Sequence, residues 1–297
     1  MTHRPYLVGL VGAGVGPSLT PALHMAEARY HDLEYLYRTI DLSEHGIAPH
    51  RIGEVIDWAR TLGYDALNIT HPCKRLVIEH LDDIDNVADE VGAVNTVIFD
   101  GTRTVGYNTD TTGFALGFRD GLPDAATGHV VLIGAGGAGA AVGDALLRVG
   151  ADHLTVVDVD VDRASALAHE LAARRPATRV EASSPEKLTV LLPNSDGVVH
   201  CTPTGMAEHP GLPFAAELLH PGLWVADIVY RPLDTALLKA ARRAGCRTCD
   251  GGHMAVYQAT EAFELITGVT PDTQRMSRHF RNLVGSPTPD REAKGES

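Results

Sequence analysis

Val130-Val131-Leu132-Ile133-Gly134-Ala135-Gly136-Gly137-Ala138-Gly139 is the stretch on which the fold turns. Four apolar residues read as a buried strand, six residues follow in the pattern G-x-G-x-x-G, and Ala140–Val149 then takes up helical spacing. Strand, glycine loop and helix in that order form a dinucleotide-binding unit. Gly134 makes the tight turn, Gly136 leaves the backbone bare for a pyrophosphate, and Gly139 lets the helix close on the strand. Gly137 and Ala138 complete the loop, and the helix N-terminus offers unpaired N–H groups to the phosphates. The next strand, Leu154-Thr155-Val156-Val157, ends at Asp158, about 20 residues on, where an acid meets the adenosine ribose. A carboxylate there accepts from the ribose hydroxyls and repels a 2′-phosphate, so the expected cofactor is NAD rather than NADP. Asp158-Val159-Asp160-Val161-Asp162 is not a calcium loop, because the sixth position is Arg163 instead of Gly and the twelfth is His169 instead of Glu.

Working outward, strands are expected at Gly197–Cys201, Leu223–Val229 and Cys246–Cys249. Toward the N-terminus they are expected at Tyr6–Gly12, Leu36–Asp41, Ala66–Ile69 and Ala93–Phe99. Helices are expected at Thr20–Tyr30, Pro49–Leu62, Pro72–Leu81 and Thr112–Arg119, and a hairpin through Asp100-Gly101. Alternating strands and helices define an α/β chain with two α/β domains, the second of Rossmann type, and a cleft between them. Gly121-Leu122-Pro123-Asp124 reads as the junction. The expected division is a substrate-binding and catalytic domain at 1–120, an NAD-binding domain at 121–252, helices returning to the first domain at 253–285 (Met254–Ile266 and Asp272–Leu283) and a disordered polar tail at 286–297.

The chain has 297 residues, with 25 Lys and Arg against 38 Asp and Glu, a net charge of −13. That balance speaks against nucleic acid and anionic membrane surfaces as partners. A small-molecule substrate is expected instead, on a monomer or homodimer. Without an apolar span or a recognisable leader the expected location is cytoplasmic. Four cysteines are too sparse for a disulfide framework, and Asn68-Ile69-Thr70, though a glycosylation sequon, needs another explanation there.

In the first domain, polar and cationic groups gather at expected strand ends: Ser18-Leu19-Thr20, Asn68-Ile69-Thr70-His71-Pro72-Cys73-Lys74, Asn95-Thr96 and Asn108-Thr109-Asp110. Ligands of open α/β sheets sit beyond the strand C-termini. Hydroxyls at a helix start suit a carboxylate. The amides and hydroxyls of Asn68, Thr70 and Asn95 suit ring hydroxyls, and Lys74 with Asp110 makes an acid/base pair. Taken singly, Lys74 reads as a solvated helix-start lysine and Asp110 as an N-cap.

These clusters, with Asp227-Ile228-Val229-Tyr230 and Asp250-Gly251-Gly252-His253-Met254, resemble the shikimate/quinate dehydrogenase family over most of the chain. The resemblance implies oxidation of the C3 hydroxyl of a polyhydroxy cyclohexane or cyclohexene carboxylate, with hydride passed to nicotinamide. By matching motif, Ser18 and Thr20 hold the carboxylate, with Tyr230 nearby. Thr70, Asn95, Asp110 and Gln258 hold hydroxyls, and Lys74 is the acid/base. Arg163, Thr202, Gly251 and Met254 join the glycine loop and Asp158 on the cofactor side. Ser18-Leu19-Thr20 stands where shikimate enzymes carry Ser-x-Ser, and Asp158-Val159-Asp160 where NADP-type members carry Asn-Arg-Thr. Both departures favour an NAD-linked quinate/shikimate enzyme. His200-Cys201-Thr202 replaces the family's Asn-Ala-Thr.

Three other functions fit the residues less well: an enzyme for an aminated analogue, an NADP-linked biosynthetic shikimate dehydrogenase, and a non-catalytic sensor of NAD or a metabolite. Cys246-Arg247-Thr248-Cys249 has metal or redox spacing but no second pair, so buried thiols and no metal are expected. His71 reads as a polar loop wall, and Leu81–Asp85 as a solvated helix start.

Overall fold

The computed structural model describes residues 4–285, and the tail at 286–297 lies outside them. The first half runs β1 (Tyr6–Gly12), α1 (Thr20–Tyr30), β2 (Tyr35–Asp41), α2 (Ile52–Thr61), β3 (Ala66–Ile69), β4 (Asp83–Ile84), α3 (Asn86–Val91), β5 (Thr96–Asp100), β6 (Arg103–Tyr107) and α4 (Thr109–Gly121). Its six strands form a sheet ordered β2-β1-β3-β5-β6-β4. β1 is parallel to β2 and β3, whereas β5 runs antiparallel to β3 and turns back into β6 through the expected hairpin. This register sets Asn68 opposite Thr96 and Thr96 opposite Tyr107. The end of β3, the start of β5 and the end of β6 therefore share one edge of the sheet. On one face α2 buries Ile52, Val55, Ile56 and Ala59 against Val11, Leu67 and Ile69.

The second half runs β7 (His129–Ile133), α5 (Gly137–Val149), β8 (His153–Val157), α6 (Val161–Arg174), β9 (Arg179–Ser183), α7 (Leu188–Leu191), β10 (Gly197–His200), β11 (Trp224–Asp227), α8 (Ala236–Arg243) and β12 (Thr248–Cys249). Its six strands are all parallel, in the order β12-β11-β10-β7-β8-β9. Val130, Val131 and Leu132 are fully buried because helices cover both faces of such a sheet. Each contributes about 1.5–3 kcal/mol by burial. The order reverses between β7 and β10, and that is where a dinucleotide sheet opens its crevice.

α9 (Gly251–Thr267) and α10 (Thr273–Gly285) return to the first sheet, where Val256, Ala259, Met276 and Phe280 pack with Leu23 of α1. α9 also lies hard against α4. A Cβ on Gly113 would stand 2.6 Å from the Gln258 nitrogen, and one on Gly117 2.9 Å from the His253 carbonyl carbon. These glycines let two helix backbones approach closely enough to bring α9 side chains to the start of α4.

The structure corrects three local expectations. Pro72–Leu81 is not an α-helix; only a single 3-10 turn forms, at Ile78–His80. The Lys74 carbonyl accepts from the Val94 N–H instead of a residue one turn on, so the segment is tied to the start of β5. The strand expected at Ala93–Phe99 begins at Thr96: the Ala93 carbonyl is taken by the Asn108 side chain and the Val94 N–H by the Lys74 carbonyl, outside any strand, while Asn95 bonds to Ile69 and Tyr107 at the ends of β3 and β6. Within Leu81–Asp85, Asp83–Ile84 is a short strand beside β6. Only Asp85 starts a helix, accepting from the Ala88 N–H as the cap of α3. The edge strand β9, with no strong apolar run, escaped the sequence reading.

Candidate active site

Lys74, Asn95 and the Asn108–Asp110 turn meet at the shared sheet edge. Asn95 joins two strand ends, its N–H donating to Tyr107 and its carbonyl accepting from Ile69. Its side-chain Nδ2 donates to Thr109 Oγ1 at 2.9 Å, and its Oδ1 accepts the Thr109 N–H at 2.9 Å. The Thr109 hydroxyl in turn lies 3.5 Å from Gln258 Oε1, across the α4–α9 contact. Asn95, Thr109 and Gln258 thus form a linked polar row.

Asn108, not Asp110, caps α4, its Oδ1 accepting the N–H groups of Asp110 at 3.1 Å and Thr111 at 3.2 Å. Asp110 sits in the first turn with its carboxylate available, and Lys74 Nζ donates to its Oδ2 at 2.5 Å. The Lys74 and Asp110 side chains retain 22% and 11% of their exposure, so the pair is reachable yet largely screened. A second carboxyl, Glu261 of α9, accepts from Thr112 Oγ1. Burial pushes its pKa up, although the Thr112 bond opposes this, and the charges of Asp85 and Asp110 push it further up.

Ser18 and Thr20 lie half-buried at the start of α1, with the Ser18 hydroxyl 3.3 Å from the Thr20 hydroxyl. Leu19 and Tyr230 pack on the same cluster, and Arg231 donates to the Pro17 carbonyl, so the Tyr230 loop meets the Ser18–Thr20 segment across the two halves. Burial raises the Tyr230 phenol's pKa, which keeps it a neutral donor. Thr70 directly follows β3, its N–H donating to the Val11 carbonyl.

Asn68 differs from its expected use. It is only 6% exposed, its Oδ1 accepts from Tyr37 Oη at 2.5 Å and its Nδ2 donates to Thr96 Oγ1 at 2.9 Å. The amide is consumed inside the sheet and supports Asn95 from below. His71 is exposed, in keeping with a loop wall.

On the second sheet, Gly134 adopts a φ of +108°, and a Cβ on Gly139 would stand 1.9 Å from the Gly134 oxygen. Only glycines permit this turn and this helix contact. Gly136 and Gly137 are exposed, with nothing within 4 Å of where a Cβ would sit. Together with the bare α5 N-terminus and half-buried Ala138 they form a cradle that fits a pyrophosphate. Asp158 ends the neighbouring strand, its Oδ2 accepting from the Ala135 N–H at 2.7 Å and its Oδ1 from the Asp160 N–H at 2.9 Å. Each oxygen keeps a second lone pair for a ribose hydroxyl. Arg163 is half exposed and reaches Asp160 at 3.2 Å and Asp158 at 3.8 Å. Thr202 lies over Gly134, its methyl 3.0 Å from where a Cβ there would sit. Gly251 is buried beneath the Ile228 carbonyl, and Met254 packs on the second domain's core.

The sequence reading did not foresee the partners of His200. Its imidazole is fully buried between Asp227 and Thr202, and Asp227 also binds Thr235. The departure from Asn at this position was the only available signal. Cys246 and Cys249 are free and buried, and among the described residues no three His, Cys, Asp or Glu side chains gather as a metal site. Nor is any described helix long and apolar enough to cross a membrane.

Two α/β domains, one with a dinucleotide cradle and the other with a screened Lys/Asp pair, define a nicotinamide-dinucleotide-dependent oxidoreductase. Residues 10–97 match the family described as shikimate dehydrogenase substrate binding domain, and residues 119–208 match shikimate / quinate 5-dehydrogenase. The chain belongs to the shikimate/quinate dehydrogenase family. It is 57% identical to a shikimate dehydrogenase (NADP(+)) of Streptomyces avermitilis, over 96% of this chain and 98% of that one. It is 44% identical to a quinate/shikimate dehydrogenase (NAD(+)) of Corynebacterium efficiens, over 95% and 100%. Among solved structures, the quinate dehydrogenase from Corynebacterium glutamicum in complex with NAD matches with a TM-score of 0.89 and 41% identity, over 94% and 100%.

Proposed function

We propose that the protein oxidises the C3 hydroxyl of quinate and/or shikimate with NAD, giving 3-dehydroquinate or 3-dehydroshikimate. The observation that carries this reading is the Lys74 Nζ to Asp110 Oδ2 contact of 2.5 Å beside the Asn95–Thr109–Gln258 row. Oxidation of a carbinol removes the hydroxyl proton as hydride leaves the carbon, so a proton acceptor must stand beside that hydroxyl. Lys74 Nζ is the group that exchanges this proton, and Asp110 holds it in place through their 2.5 Å contact. Thr70, Asn95, Asp110 and Gln258 hold the ring hydroxyls, and Ser18 and Thr20 hold the carboxylate with Tyr230 at its side. The nicotinamide, when bound, supplies the hydride acceptor. In this reading residues 1–120 and 253–285 serve the substrate, and 121–252 the cofactor.

Asp158 supports NAD over NADP. A 2′-phosphate at the end of β8 would meet the carboxylates of Asp158 and Asp160, and the nearby cation, Arg163, is already paired with Asp160. Relatives named for each cofactor resemble the chain, so the assay must cross both cofactors with both substrates. NADH formation with NAD and quinate is the expected result. Turnover only with NADP and shikimate would overturn the specificity reading and leave the chemistry standing, whereas no turnover in any combination would favour an amino-substituted analogue or a sensor. Lys74→Met is expected to lower turnover by about 10²–10⁴-fold with NAD binding retained, and turnover at the wild-type rate would refute the role given to Lys74.

A further inference from the structure

Gln258 is the α9 group assigned above to a ring hydroxyl, yet its own hydrogen bonds are long. Oε1 lies 3.5 Å from Thr109 Oγ1, and Nε2 donates to the Ala255 carbonyl at 3.3 Å. Hydrogen bonds of that length restrain a side chain weakly. Where the amide points is therefore set by how α9 lies on α4.

Two glycines fix the spacing of these helices. A Cβ on Gly113 would meet the Gln258 nitrogen at 2.6 Å and its Cα at 2.8 Å, and one on Gly117 would meet the His253 carbonyl carbon at 2.9 Å. Both contacts run along the line where the helices touch, and a helix resting on a line is still free to roll about it. Val256 and Ala259 pack with Leu23 and Phe280, but apolar contact carries no direction of its own. The directional restraint is the hydrogen bond from Thr112 Oγ1 to Glu261. Glu261 stands three residues after Gln258, beside it on the same helix face, and Thr112 stands one residue before Gly113. Without Glu261 the Thr112 hydroxyl retains the Thr109 carbonyl of its own helix, at 3.4 Å, and that bond does not reach α9. Glu261 is half-buried and faces the charges of Asp85 and Asp110, which makes it a costly acceptor to keep for packing alone.

We propose that Glu261 is a positioning residue: by accepting from Thr112 it stops α9 from rolling on α4, and so aims the Gln258 amide at the ring hydroxyl of the substrate. This rests on the reading of the first domain as a site for quinate or shikimate. Glu261 touches neither substrate nor cofactor in this scheme and acts on substrate binding through Gln258. Proton exchange at Lys74 and the dinucleotide cradle on the second sheet are left as they are.

The test is steady-state kinetics with the acid and dinucleotide that the wild type uses best, beside calorimetry of dinucleotide binding. Glu261→Ala and Thr112→Val each remove the bond from one side. Both are expected to raise KM for the acid by about 2–10-fold, the worth of one hydrogen bond, with kcat and dinucleotide affinity retained, as loss of uniform binding requires. Glu261→Gln keeps an acceptor oxygen at the same reach and is expected to restore the wild-type KM. Adding Thr112→Val or Glu261→Ala to Gln258→Ala is expected to raise KM no further, because residues that act through one contact are not additive. Thr112→Val keeps the side-chain shape and carries the test by itself if Glu261→Ala does not fold. An unchanged KM in Thr112→Val, or full additivity with Gln258→Ala, would overturn the proposal. So would Glu261→Gln as impaired as Glu261→Ala, since the charge and not the bond would then matter. A wild type that turns over neither quinate nor shikimate would overturn the substrate reading itself, whereas the other failures strike only the role given to Glu261.

Discussion

Acidification is expected to destabilise the protein through His24, at a position that supports the substrate side of the site. His24 lies in α1, the helix that begins at Thr20, and is fully buried among Tyr35, Tyr37 and Phe263. Its Nδ1 stands 3.1 Å from the Tyr35 hydroxyl, and its Nε2 is buried with no hydrogen-bond partner. Burial lowers its pKa to about 3 from 6.5, since no neighbour repays the loss of water around a charged ring. The unfolded chain therefore binds a proton near pH 6.5 that the native chain accepts only near pH 3. Between those values the unfolded state holds more protons, so stability falls as pH falls. The loss is about 1.4 kcal/mol per pH unit in that window, about 2 kcal/mol at pH 5 relative to neutrality. Urea denaturation followed by circular dichroism at pH 7 and pH 5 measures it, with His24→Leu as the non-titrating comparison. The variant is expected to be less stable at pH 7, through the lost Tyr35 bond, but to lose about 2 kcal/mol less than the wild type between pH 7 and pH 5. Equal losses in the two proteins would refute the reasoning, because every other titrating group is common to both.

Gly139→Ala forces a Cβ toward the Gly134 oxygen at 1.9 Å, and is expected to cost roughly 1–3 kcal/mol in denaturation and to weaken dinucleotide binding by calorimetry. Asn68→Ala leaves the buried Tyr37 hydroxyl and Thr96 without their amide. It is expected to destabilise by roughly 1–3 kcal/mol and to raise KM for the acid substrate while dinucleotide affinity holds, read from kinetics and calorimetry together. His253 has its pKa raised to about 10, by its bond to Asp250 first and by Cys249 second. Its stabilisation is complete below pH 6.5 and is lost as pH rises through about 10, so the melting temperature of the wild type is expected to fall across that range more steeply than that of His253→Gln.

The dinucleotide half was legible because its signal is local. An apolar strand, three glycines at fixed spacing and a helix lie within twenty consecutive residues, each with one backbone solution, and β7 and α5 formed around them. The helices α1, α9 and α10 were likewise readable from apolar spacing. Pro72–Leu81 misled because helical spacing is only a preference, and the competing partner for the Lys74 carbonyl, Val94, is distant in sequence.

Side-chain roles divided along the same line. The types of group needed for a carboxylate, several hydroxyls and a proton acceptor were all present in the sequence, and so was the Lys74/Asp110 pairing as a suggestion. Which partners a buried amide finds was settled only by tertiary packing. Asn68 and Asn95 sit in similar sequence surroundings, yet the pairing of β3 with β5 turns the first amide onto Tyr37 and Thr96. The second, equally buried, is turned onto Thr109 at the start of α4. The close contact of α4 with α9 then brings Gln258 to that row across 149 residues of chain. Local sequence determines which backbone shapes are cheap, and so it determined the strands, the glycine cradle and the supply of chemical groups. Which of those groups meet is decided by hydrogen bonds and close contacts between distant segments, whose geometry exists only once both sheets and the α4–α9 contact have formed.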